Sequence, residues 1–178
     1  MIFGEPLTQA QRRYLLVDNG VGAFIINFII AGVMGWLIFR NSTQVPLWGR
    51  SSIAGDTIGT SILLPLITCL IVTPIARSQI RAGRLVSLRG GRASNWFPRN
   101  TFLRGLLIGA LSLLALMPIT LLGLRVAGVD SMSLRHFLLF KTVFAALEAA
   151  LVTPFLALLA ISSDDLIPER ISETRSRG

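Results

Sequence analysis

Histidine, lysine, cysteine and tyrosine each occur once in this 178-residue chain, as His136, Lys141, Cys69 and Tyr14. A single cysteine excludes an intramolecular disulfide, and inside an apolar run it reads as a small hydrophobe before it reads as a nucleophile. The lone histidine has no second histidine or cysteine at ligand spacing, so no metal site is expected. No cofactor motif is present either. Charged residues make up only 15% of the chain, against about 25% in an ordinary soluble domain. With no histidine cluster and no pair of carboxylates within any one run, the sequence does not read as an enzyme.

What the chain has instead is apolar length. Hydrophobic residues make up 52% and mean hydropathy is +0.67, concentrated in four runs at about 21–39, 57–76, 105–124 and 137–161. About 20 helical residues cover the ~30 Å hydrocarbon core of a bilayer. The expected fold is therefore all-α: a polytopic membrane protein with four transmembrane helices in a bundle, spanning 21–161. Residues 1–20 form a polar lead-in without the pattern of a cleaved signal peptide, and 162–178 a polar tail. The net charge of +8 comes from sixteen arginines and Lys141 against nine acids. All but one of the basic residues are arginines at the edges of the runs or outside them, which fits anionic lipid as the partner and not nucleic acid. The 77–104 connection holds seven arginines, against two in each of the other connections. That bias places this loop and both termini on the cytoplasmic side.

The residues expected to carry chemistry are the polar ones inside the runs. Glu148 falls near the middle of the fourth. A charged group at that depth is disfavoured by roughly 2.5–3.5 kcal/mol, so it must face other helices or water. Lys141 has two readings, a partner in the same site or a side chain snorkelling to the headgroups. Asp56 precedes the second run, where it reads as an N-cap. Asn27 and Gly35 share a small-residue face of the first run, and Gly105 and Gly109 one of the third; both faces read as helix packing, with Asn27 bonding across.

Val72-Thr73-Pro74 matches Val152-Thr153-Pro154 at an offset of 80 residues. At that offset Ser61 falls on Lys141 and Thr68 on Glu148, and a duplicated two-helix hairpin would set these four residues around one central line. Identities outside the triplet are few. The apolar composition of the helices explains the match as well as duplication does, and both accounts stay open.

The run VPLWGRSSIAGDTIGTSILLPLITCLIVTPIARSQIRAGRL, residues 45–85, resembles a pattern of uncharacterised small bacterial inner-membrane proteins that are loosely permease-like. The resemblance implies a bacterial inner-membrane location and assigns no functional residue. The expected function is transport or channel-like, with Glu148 as a proton- or cation-responsive group. A homodimer is expected, because four helices enclose little volume. The alternative is an accessory or assembly subunit of a larger membrane complex.

Overall fold

The computed structural model describes residues 9–83, 97, 98 and 100–161. Its helices are α1 (Gln9–Arg13), a π-helical stretch (Tyr14–Val21), α2 (Gly22–Phe39), α3 (Ile53–Arg81), α4 (Thr101–Val126) and α5 (Leu134–Ile161). Two three-residue strands, β1 (Gln44–Pro46) and β2 (Ser131–Ser133), complete it. Four helices are long and apolar enough to cross a membrane: Gln11–Phe39, α3, α4 and α5. They pack against one another, as an all-α membrane protein requires.

Each helix is longer than its apolar run. The first begins well before residue 21, because Tyr14 and Leu15 are buried against Val72 and Ala76 of α3 and Ala157, Ala160 and Ile161 of α5. Residues 11–20 are thus part of the first span and not a separate lead-in. The turn widens there, and Asn19 Nδ2 donates to the Tyr14 carbonyl five residues back, at 2.9 Å. The second helix starts at Ile53, four residues before the apolar run. Ser52 is its N-cap and accepts from Gly55 N at 3.1 Å, so Asp56 is not the cap; it lies inside the first turn. In α4, Asn100 caps by accepting from Phe102 N at 2.9 Å and Leu103 N at 3.4 Å. That places Arg104 in the helix and not in the arginine-rich connection. Gly83 and Gly128, at φ of 71° and 69°, follow the ends of α3 and α4, where a left-handed residue closes the last turn.

The helices pack in the order α2, α5, α3, α4, with α5 between α2 and α3, and α4 against α3. Exchanging α2 with α4 and α3 with α5 leaves that order unchanged, as a duplicated hairpin related by a two-fold axis would. The connections obey the same exchange. β1 and β2 pair antiparallel, Val45 opposite Met132, and Leu47 N donates to the Asp130 carbonyl at 2.8 Å. Beneath this ribbon Phe39 meets Phe137, ring centroids 4.6 Å apart, in a cluster with Val45, Leu47 and Ile53.

Between lipid-embedded helices there is little hydrophobic drive to associate, so close approach of backbones matters more. The buried face of α5 includes Ala145, Ala146, Ala149, Ala157 and Ala160, letting both neighbours come near. α5 is accordingly the most enclosed of the four spans and Gln11–Phe39 the least.

Candidate polar sites within the helix bundle

Glu148 lies close to the middle of the 28-residue α5 and is only 1% exposed. Neither carboxyl oxygen has a hydrogen-bond partner among the described residues. Its polar neighbour is Ser61 of α3, also fully buried, whose hydroxyl stands near the carboxyl without reaching hydrogen-bond geometry. Thr153, one and a half turns along α5, is a second buried hydroxyl without a partner among the described residues.

Lys141 turns to a neighbouring helix and pairs there. Its Nζ donates to Asp56 Oδ1, and the two side chains are only 7% and 12% exposed. The pair joins α5 to the first turn of α3. Gly35 of α2 makes room for it, since a Cβ there would lie 2.7 Å from Lys141 Cδ and 2.9 Å from Leu138 Cδ2. An ammonium group removed from water needs such a partner, because desolvating an unpaired charge is severe.

The four residues expected around one line are therefore divided. Sequence-equivalent positions are not spatial partners: Lys141 goes to Asp56 and Glu148 faces Ser61. Thr68 is half-buried in a different place, a groove of about 430 Å³ between α2 and α3. Asp56, Lys141, Asn27 and Thr68 all line this groove. Because α2 and α3 run in opposite directions, the ion pair is at the end nearer the ribbon, and Asn27 with Thr68 at the other. Asn27 does not bond across to another helix; its Nδ2 donates to the Ala23 carbonyl of its own helix at 2.9 Å.

Gly105 and Gly109 bring α4 onto α3. A Cβ at Gly109 would stand 2.9 Å from the Ile62 carbonyl oxygen, and one at Gly105 would stand 3.0 Å from Leu66 Cα and Cys69 Cβ. Cys69 is buried in this contact and donates from Sγ to the Thr101 carbonyl at 3.4 Å.

Arg104 is a polar core residue that reading the connection as a loop concealed. It is 4% exposed, and its Nη2 donates to Thr73 Oγ1 of α3 at 2.9 Å. The signal was Asn100, a capping residue four positions earlier. His136 belongs to the first turn of α5, its Nδ1 2.8 Å from Ser133 Oγ. Among the described residues no three His, Cys, Asp or Glu side chains gather at a metal-binding distance.

A second groove, about 670 Å³, lies along the outer face of α5 beside β2. Its α5 residues are His136, Leu139, Phe140, Val143, Phe144 and Leu147. Each is 80 positions beyond a residue of α3 in the first groove: Asp56, Gly59, Thr60, Leu63, Leu64 and Ile67. Corresponding faces of α3 and α5 thus each line a groove, and the two grooves differ in chemistry. The first holds an ion pair, the second a histidine and two phenylalanines.

Comparison with protein-family models, with curated proteins and with solved structures finds no match to this chain.

Proposed function

We propose that this chain is a small integral membrane protein of transport or channel-like function, in which Glu148 binds and releases the proton or cation that drives the step. One observation carries the reading: a carboxyl group is held at the middle of a span with no hydrogen-bond partner among the described residues. An unsatisfied buried polar group costs about 1–3 kcal/mol, and ionisable groups within spans are characteristic of ion and proton pathways. Lys141 is engaged by Asp56, so it does not neutralise this acid. Ser61 offers a hydroxyl that can rotate to donate to the carboxylate or accept from the acid. A second copy of the chain would supply the remaining wall of a path. The arginine-rich segment at 77–104 favours both termini on the cytoplasmic side, and the resemblance of residues 45–85 to small bacterial inner-membrane proteins points to that membrane.

The test is proton or cation flux into proteoliposomes that enclose a pH-sensitive dye. The parent protein is expected to give protein-dependent flux and Glu148→Gln to abolish it while remaining folded and inserted. Equal flux from both removes Glu148 from the mechanism. A larger stable complex on gentle extraction, without flux from the isolated chain, would favour the accessory-subunit reading instead.

A further inference from the structure

We infer that the groove between α2 and α3 binds one lipid-like amphiphile, a molecule with a headgroup bearing both an ammonium and a phosphate and with an acyl chain. The proposal does not involve Glu148, which is absent from the groove's lining, and it stands whether or not the protein carries flux.

The groove has the shape and polarity such a ligand needs. Its volume of about 430 Å³ is within the ~300–1,000 Å³ usual for small-molecule sites. Ile30, Met34, Leu63 and Ile67 make an apolar channel along its length, and Asp56, Lys141 and Thr60 lie at the end nearer the ribbon. Asp56 is in the first turn of α3, so this charged end is where a headgroup enters a span and the apolar length is where its chain lies. The two charges have opposite sign, matching a zwitterion: the ammonium meets the Asp56 carboxylate and the phosphate meets Lys141 and the Thr60 hydroxyl.

The 80-residue correspondence between the two grooves provides an internal control. The second groove repeats the α3 positions on α5, and there Asp56 is replaced by His136 and Thr60 by Phe140. An ion pair is not needed to build a groove of this kind. Within the first groove it is also the less economical way to fill space, since a buried pair is commonly no more stable than apolar residues of the same volume. Its placement on the groove wall is accounted for by a ligand that carries both charges.

The experiment is native mass spectrometry of the purified protein in a non-ionic detergent with three added probes: palmitoyl lysophosphatidylethanolamine, palmitoyl lysophosphatidylglycerol and monopalmitoylglycerol. One equivalent of the ethanolamine lipid should be retained at least tenfold better than the neutral lipid and better than the glycerol phospholipid. Asp56→Asn should remove the preference for the ammonium headgroup. Because that change also disturbs the ion pair, Leu63→Trp is the second variant; it fills the channel without touching the pair and should abolish retention. His136→Asn, in the equivalent groove, should leave retention unchanged. Equal retention of all three probes, or undiminished retention by Leu63→Trp, would overturn the proposal. So would competition by free phosphoethanolamine as strong as by the lipid, since the acyl chain would then be irrelevant, or a dimer of the chain that Leu63→Trp dissociates, since a second copy would then occupy the groove.

Discussion

Lys141 runs directly over Gly35: a single carbon added to the glycine would lie 2.7 Å from the lysine's Cδ. The α2/α5 contact and the Lys141–Asp56 pair are therefore one construction, in which the outer helix is kept bare so that the ammonium can cross to α3. Lys141→Met should be destabilising by about 3–5 kcal/mol, the usual result of leaving a buried charge without its partner. The double variant Asp56→Asn, Lys141→Met should return stability to the parent level or above it. Denaturant unfolding in detergent micelles measures both.

Glycines in the helices separate by what stands opposite. Gly109→Ala pushes a methyl against the Ile62 backbone, 2.9 Å away, which no side-chain rotation relieves. A loss of about 1–3 kcal/mol is expected. Gly59, by contrast, faces open space, with nothing within 4 Å of where a methyl would stand, and Gly59→Ala should be neutral or gain up to about 1 kcal/mol from helix propensity. Thermal unfolding of the two variants side by side tests the α3/α4 contact; equal midpoints would contradict it.

Replacing Glu148 by methionine should not harm the fold. The carboxyl oxygens have no hydrogen bonds among the described residues to lose, and an apolar side chain of similar size avoids a buried unsatisfied group. Stability of Glu148→Met should equal or exceed that of the parent by up to about 3 kcal/mol, while flux disappears. A large loss of stability would reveal a structural role in place of a functional one.

Thr73→Val removes the hydroxyl that accepts from Arg104 Nη2. Hydrogen bonds to a charged group contribute about 1.5–3 kcal/mol, and a loss of that order is expected. The buried thiol of Cys69 is the convenient reporter: maleimide labelling should be slow in the folded parent and faster in Thr73→Val, in step with its lower stability.

The spans were legible because the bilayer imposes a length of apolar sequence that few other structures need. Their ends were not, because the helices outlast the apolar runs. Gln11–Asn19 is polar enough to look like a lead-in, yet Tyr14 and Leu15 fasten it to α3 and α5. Asp56 looked like a cap because it immediately precedes an apolar run, whereas Ser52 had the same capping chemistry four residues earlier. No local pattern could show that its partner is 85 residues away in Lys141. The offset of 80 identified equivalent faces of α3 and α5, visible in their grooves, but equivalence along a chain does not place two residues in contact. Hence Ser61 lies by Glu148, and Thr68 does not complete that site.

The antiparallel ribbon of Gln44–Pro46 with Ser131–Ser133 fastens one hairpin to the other at a single face of the bundle. Separation of the hairpins there would have to break its backbone bonds, while toward the far end the Arg104 Nη2–Thr73 Oγ1 hydrogen bond joins them across α3 and α4. The two hairpins are thus tied on both sides of mid-depth, by backbone at the ribbon and by side chains opposite, and a change at mid-depth has to be taken up between the two ties.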